Sequence, residues 1–259
     1  MISKAKIKFI QALGHKKARR EEGLFVAEGP KVVGDLTQVL TPRLLVATDH
    51  WMENEGRTLP LTEHTELIRV TEEELRKASF LQHPQQVLAV FPLPSTADSA
   101  ANVVPTDRLC IALDGVQDPG NVGTIIRIAD WFGISDIFCS EDTADVYNPK
   151  VVQATMGSLA RVHIHYTDLE RLVRQLPADY PVYGTLLEGQ AIYGQQLSAH
   201  GLVIMGSEGN GISRPLRQYV NRQLLIPRFP ADREGAESLN VAVATALTCA
   251  EFRRRQTWK

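Results

Sequence analysis

Residues 224–255, LLIPRFPADREGAESLNVAVATALTCAEFRRR, open on an apolar run, Leu224-Leu225-Ile226, that stops at Pro227. Continuous hydrophobicity closed by proline is the pattern of a buried parallel strand. A polar loop, Arg228–Glu237, follows. Ser238 is placed to cap a helix over Leu239–Ala250, a segment rich in alanine and β-branched residues. The loop is longer and more charged than an ordinary strand–helix connection, and such length goes with function. The helix carries small residues on every side (Ala242, Ala244, Thr245, Ala246, Ala250), which predicts close packing on both flanks.

Upstream, the same alternation repeats back to Leu109. Strands are expected at Leu109–Leu113, Asp136–Cys139, Val162–Tyr166, Val182–Leu186 and Leu202–Met205. Helices are expected at Val122–Phe132, Pro149–Ala160, Asp168–Gln175 and Arg214–Tyr219. Strands alternating with helices imply an α/β domain with a parallel sheet covered on both faces. Ligands of such sheets sit at the carboxyl ends of the strands.

Before residue 92 the pattern is shorter. A helix over 3–14 ends at Gly14, Leu24–Ala27 is a strand, and Pro30 opens a helix over Lys31–Leu40. Arg43–Ala47, Leu67–Val70 and Val87–Phe91 read as strands, and Thr71 with Glu74 forms a capping box for a helix over Glu72–Ala78. The stretch PLPSTADSAANVVPTD, residues 92–107, is rich in proline and small polar residues and reads as a linker. The expected division is a small α/β domain over 1–95, a linker over 96–107 and a second domain over 108–259.

At 259 residues, 44% apolar and 22% charged, the chain has an ordinary globular composition. It shows no membrane span and no signal-peptide core, so a cytoplasmic location is expected. Three separated cysteines (Cys110, Cys139, Cys249) read as core thiols, and His163 with His165 lacks a nearby third metal ligand. The net charge of −2 hides an asymmetry. Lys4, Lys6, Lys8, Lys16, Lys17, Arg19 and Arg20 stand in the first twenty residues with no acid among them. A local basic patch of this kind is a candidate RNA-binding face, with a solvated helix as the alternative.

Three loops carry the candidate chemistry. LDGVQDPGNVGTIIRIAD, residues 113–130, has neither the dinucleotide glycine spacing nor a phosphate-binding loop, which argues against a nicotinamide-dependent dehydrogenase. It does place Asn121 at an expected cap and Arg127 among isoleucines, where a guanidinium can grip phosphate. IMGSEGNGIS, residues 204–213, holds Gly206, Gly209 and Gly211 around one acid, Glu208. Ser238 and Asn240 stand at the start of the last helix, where backbone N–H groups are free to meet an anion.

Together these residues resemble the SpoU family of RNA ribose 2′-O-methyltransferases, of the SPOUT class. Asn121, Gly123 and Arg127 match its N-x-G-x-x-x-R motif, Gly206, Glu208 and Gly211 its G-x-E-x-x-G motif, and Ser238–Val241 its S-L-N-V motif. The first domain is similar, through FVAEGPKVV and HPQQVLAV, to the ribosomal-protein-like substrate-binding domain that precedes many SpoU domains. Many relatives have glycine where this chain has Gln86.

The resemblance implies a deep C-terminal trefoil knot, an exception to the rule of unknotted chains. It also implies a homodimer and an RNA partner, ribosomal or transfer. It implies S-adenosylmethionine bound near Thr185, Leu186, Met205, Gly206, Gly209, Ile226, Leu239 and Asn240. The catalytic set it implies is Arg127, Asn121, Glu208, Ser238 and Asn240, with no metal. A catalytically silent RNA-binding protein of the same fold and a base-modifying SPOUT enzyme are the alternatives. The presence of Arg127 and Asn240 argues against the first, and S-L-N-V against the second.

Overall fold

The computed structural model describes residues 1–94, 106–230 and 237–256. In chain order the elements begin α1 (Lys4–Ala12), α2 (Lys16–Glu22), β1 (Leu24–Glu28), α3 (Pro30–Thr37), β2 (Leu44–Thr48), α4 (Asp49–Glu53) and β3 (Glu66–Val70). They continue with α5 (Glu72–Ala78), β4 (Val87–Pro92), β5 (Leu109–Asp114), α6 (Pro119–Trp131), β6 (Asp136–Cys139), α7 (Pro149–Ala154) and β7 (His163–Tyr166). The last are α8 (Leu169–Arg174), β8 (Val182–Ala191), β9 (Gly201–Gly206), α9 (Arg214–Arg217), β10 (Arg222–Leu225) and α10 (Val241–Arg254).

Two compact units result, Met1–Ser95 with Asp145–Ala160, and Thr96–Ala144 with Arg161–Lys259. Residues 145–160, grouped with the second domain by sequence, thus belong to the first unit. The expected linker, 96–107, lies largely outside the described residues.

The first unit is built on a four-stranded sheet ordered β1-β4-β2-β3, antiparallel except for the parallel β2–β3 pair. Its apolar strands are buried on both faces by the two-residue alternation. Leu24, Val26, Leu44, Val46, Leu88 and Val90 join Ile10, Leu13 and Leu75 of the helical layer on one side. Phe25, Ala27, Leu45, Ala47, Ala89 and Phe91 join Val33, Leu36, Trp51 and Val152 of α7 on the other.

The expected single helix over 3–14 is α1, capped by Ser3, and a second helix that sequence reading missed, α2, follows it. α7 is shorter than expected, because the backbone turns left-handed at Met156 (φ 51°) and Gly157 (φ 93°) before a 3-10 turn over Ser158–Ala160.

The second unit has a six-stranded sheet ordered β10-β8-β9-β5-β6-β7, with every pair parallel. This is the expected parallel α/β class, and the order is consistent with the knotted SPOUT topology. From the central β5 the chain builds outward to β6 and β7, then crosses to place β8, β9 and β10 on the other side. The switch between β5 and β9 is where an open α/β sheet presents its ligand crevice. On one face, Leu169, Leu172, Val173, Ile212 and Leu216 pack over Cys110, Ala112, Leu202 and Ile204. On the other, α10 reaches the sheet through Phe252, whose ring meets Tyr183 edge-on at 4.8 Å.

α6 and α10 lie side by side with their ends aligned. Asn240 meets Asn121 at one end, and Arg253 donates to the Phe132 and Gly133 carbonyl oxygens at the other (2.6 and 3.0 Å). Of the close packing expected on both flanks of α10, this chain supplies one, against α6 and the sheet. Val243 and Leu247 remain 49% and 41% exposed.

His163 and His165 both turn to Asp136, at 3.6 and 3.0 Å, beside Arg108 at 2.9 Å. Burial pushes the Asp136 carboxyl up, but hydrogen bonds from His165 and Ser135 and the Arg108 charge outweigh it and hold the carboxyl well below its usual range. The three cysteines are free and buried. Among the described residues no helix is long and apolar enough to cross a membrane.

Candidate active site

β5 and β9 are paired to their last residues, Asp114 opposite Gly206, so the loops that follow rise together. Sequence reading missed Asp114, an acid closing an apolar strand. It is almost fully buried, and its Oδ2 accepts from Ser213 N at 2.6 Å, tying the end of the second loop to β5.

The first loop enters α6 through Asp118, which is the cap in place of the expected Asn121. Asp118 Oδ1 accepts from Asn121 N at 2.8 Å. Asn121 therefore lies in the first turn with its side chain free to reach across. Its Nδ2 donates to Glu208 Oε1, and its Oδ1 accepts from Asn240 Nδ2 at 2.9 Å. Asn240, and not the expected Ser238, caps α10. Its Oδ1 accepts from Ala242 N and Val243 N at 3.0 and 3.2 Å. An ionised carboxylate only accepts, so Glu208 fixes which end of the Asn121 amide faces it. That leaves the Asn121 oxygen for Asn240, and the Asn240 oxygen for the helix. Groups 87 and 119 residues apart in the chain become one directed row of hydrogen bonds.

Gly206 is required by the turn itself. A Cβ there would stand 2.1 Å from Gly211 C and 2.3 Å from Ile212 N. Ser207 and Gly211 close that turn through a pair of backbone hydrogen bonds at 3.1 and 2.9 Å. The second-loop glycines expected to admit a ligand therefore divide. Gly206 and Gly211 shape the turn, and Gly209 faces open space.

Of the other expected catalytic residues, Arg127 projects from α6, exposed and, among the described residues, without hydrogen-bond or ion-pair partner. It lies about 9 Å further along the helix axis than Asn121, outside the row. Ser238 is also exposed and joins no hydrogen bond among the described residues. Residues 231–236, within the expected polar loop, lie outside the described residues.

Of the expected cofactor residues, Thr185, Leu186, Met205, Gly206 and Ile226 lie on or just after the neighbouring strands β8, β9 and β10. The β8–β10 pairing jumps from Gly184 to Gln190 between Gln223 and Leu224, so residues 185–189 leave the ladder there. Thr185, Leu186, Gly206 and Ile226 are half-buried here, and Leu239 is 48% exposed. Half-buried apolar side chains beside strand-end backbone suit the adenosyl part of S-adenosylmethionine. Met205 can offer only its backbone, since its side chain is 1% exposed and meets Thr185 Oγ1 at 3.8 Å.

Residues 108–250 match the SpoU rRNA Methylase family. The chain belongs to this family. Residues 4–89 match the MRM3-like substrate binding domain. The SpoU chain is similar to a structure described as a putative RNA methyltransferase of the TrmH family from Porphyromonas gingivalis. The two share 40% identity with a TM-score of 0.85, over 99% of this chain and 100% of the other. An AdoMet-bound rRNA methyltransferase from Sinorhizobium meliloti shares 29% identity and a TM-score of 0.84, over 100% and 98% of the two chains. The 23S rRNA (guanosine(2553)-2'-O)-methyltransferase RlmP of Bacillus subtilis is 29% identical over 93% of each chain.

The basic N-terminal patch requires a correction. Arg19 is only 2% exposed. It donates to the carbonyl oxygens of Leu13 and Gly14 at 2.8 and 2.9 Å and pairs with Asp145 Oδ2 at 2.5 Å. It holds the α1–α2 corner against Asp145 within the first unit and is not offered to RNA. Lys6 is paired with Glu66 at 2.6 Å, and Lys17 lies 3.8 Å from Glu21. Lys4, Lys8, Lys16, Lys17 and Arg20 remain exposed, and sequence spacing alone could not separate them from Arg19.

Proposed function

We propose that this SpoU chain transfers a methyl group from S-adenosylmethionine to a ribose 2′-hydroxyl of ribosomal RNA. The row Glu208–Asn121–Asn240 carries the reading, because it draws one side chain from each of three motif loops to the ligand edge of the sheet. The nucleotide we favour is a guanosine, on the likeness to relatives named as guanosine 2'-O-methyltransferases.

When bound, S-adenosylmethionine supplies a methyl group already activated by its sulfonium. The strand-end residues around Thr185, Leu186, Gly206 and Ile226 would hold it, with Asn240 fixing the N-terminus of α10 beside them. A ribose hydroxyl is a poor nucleophile and must be aligned and relieved of its proton, which we assign to solvent water at this exposed edge of the sheet. The planar fork of a guanidinium matches phosphate with two parallel hydrogen bonds, so the role we assign to Arg127 is to grip a phosphate and orient the adjoining hydroxyl. Among the described residues no side chain or carbonyl engages its fork, which is left for RNA.

We assign RNA capture to the unit built on residues 1–95, with 145–160 packed in it, and methyl transfer to the rest of 108–259. Lys4, Lys8, Lys16 and Arg20 add a sequence-independent attraction for phosphate. We also assign a homodimer, because the neighbouring helices α6 and α10 leave Trp131, Val243 and Leu247 exposed, 85% in the case of Trp131. A reducing cytoplasm suits the three free thiols.

The test is transfer of labelled methyl from S-adenosylmethionine to ribosomal RNA from cells lacking the gene, followed by mapping of 2′-O-methyl positions. A new 2′-O-methylguanosine supports the proposal. Label on a base, or none on any RNA, overturns it.

A further inference from the structure

The first unit contains a cavity of about 330 Å³ lined by Pro30, Glu55, Glu72, Leu75, Arg76, Pro84, Gln85 and Gln86. Its walls divide into two kinds. Pro30, Leu75 and Pro84 are apolar. Glu55, Glu72, Arg76, Gln85 and Gln86 are polar, and among the described residues none of their side chains has a hydrogen bond or ion pair. Glu55, Glu72, Arg76 and Gln85 are exposed and Gln86 half-buried, so water serves these groups in an open cleft, and a ligand with matching donors and acceptors would displace that water.

The backbone gives a second, independent sign. Gln86 has φ of 53°, in the left-handed region that glycine enters freely and other residues enter at a cost. Its backbone is fixed there, its carbonyl oxygen accepting from Thr48 N at 2.9 Å. A long amide side chain is thus held in a strained position at the mouth of the cavity, and strain of this kind gathers at ligand clamps.

We propose that this cavity takes an unpaired guanine of the substrate RNA. The proposal rests on the RNA-methyltransferase reading and deepens it. Two carboxylates disfavour a phosphate, which the exposed lysines of α1 and α2 serve instead. They favour a base edge rich in N–H donors. Guanine's Watson–Crick edge offers N1–H and N2–H₂ together, a match for one carboxylate, while its O6 and N7 accept from arginine. Glu72 and Arg76 stand four residues apart on α5, one acceptor and one donor on neighbouring turns. Bases splayed from single-stranded RNA are read on these edges and seated on apolar or planar surfaces. Uracil lacks the paired donors and should be refused.

The experiment uses the full chain saturated with S-adenosylmethionine, so that a nucleotide cannot enter the cofactor site. Saturation-transfer NMR with GMP, AMP, CMP and UMP as probes should show GMP bound most tightly and UMP not at all. Glu72→Gln and Gln86→Gly should each weaken GMP binding roughly tenfold. The same variants should raise KM for ribosomal RNA and leave S-adenosylmethionine affinity unchanged. Gln86→Gly should melt no lower than the wild type, since glycine relieves the left-handed backbone, so lost binding would not be lost fold. Equal binding of all four nucleotides, or GMP binding unchanged in both variants, would overturn the guanine pocket. A wild type that binds neither S-adenosylmethionine nor ribosomal RNA would instead overturn the methyltransferase reading beneath it.

Discussion

Replacing Asn121 by aspartate puts the hydrogen-bonded row under the most direct strain. The new oxygens can still accept from Asn240 Nδ2, but the donor to Glu208 is gone, and two carboxylates now face each other in contact. At about 3 Å, unit charges repel by roughly 1.4 kcal/mol at the dielectric of water and about 5.5 kcal/mol at an effective value of 20. Glu208 is exposed and Asn121 half-exposed, so the lower end applies, and we take about 2 kcal/mol with the lost hydrogen bond included. If that energy shifts Asn240 and the start of α10 out of register, methyl transfer should fall about thirtyfold at pH 7.5. Acid should restore part of it, because a proton shared between the two carboxylates rebuilds the bond. The decisive variant is the double change Asn121→Asp with Glu208→Gln. The new glutamine then donates to the new aspartate, and the row is rebuilt with its charge moved by one place. Methyl transfer to ribosomal RNA should recover at least tenfold over the single change at pH 7.5, and the amide protons of Ala242 and Val243 should regain slow exchange. A double variant no better than Asn121→Asp in both measurements would refute the idea that the row orients Asn240.

Arg127→Ala should lower methyl transfer roughly a thousandfold while leaving melting temperature and cofactor affinity unchanged, since the side chain has no partner among the described residues; Arg127→Lys should be nearly as poor at every pH, and recovery at high pH in that variant would point to a base in place of a clamp. Neutralising Lys4, Lys8, Lys16 and Arg20 together should reduce the salt slope of RNA binding without loss of stability, whereas Arg19→Ala should cost about 3 kcal/mol of stability in denaturant melts by stranding Asp145 and two carbonyl oxygens. Asp136→Asn should cost about 2 kcal/mol at pH 7, tempered by the solvent access of Arg108. Because the native Asp136 carboxyl is held below the value of an unfolded aspartate, its contribution is complete at neutral pH and fades as pH falls below about 4, so wild type and variant should converge in acid melts.

The sequence alone determined the fold class, the parallel sheet and the three motif loops. These follow from local patterns, such as apolar runs closed by polar loops and glycine where a turn demands it. The N-terminal unit was legible for the same reason, down to the Thr71–Glu74 capping box. Only the tertiary structure decided what those residues do together. Local spacing made Asn121 and Ser238 equal candidates for helix caps, but Asp118 and Asn240 hold those places, because caps are settled by backbone angles that a one-dimensional pattern does not contain. Arg19 looked like any other cation of a basic run, and its burial depends on Asp145, 126 residues away. Gln86 stood out in the sequence only as a departure from the glycine that the resemblance expects. Its left-handed backbone emerges only when β4 is paired in register with β2. In each case the sequence carries the chemical group, while the partner that gives the group its role is brought by long-range packing.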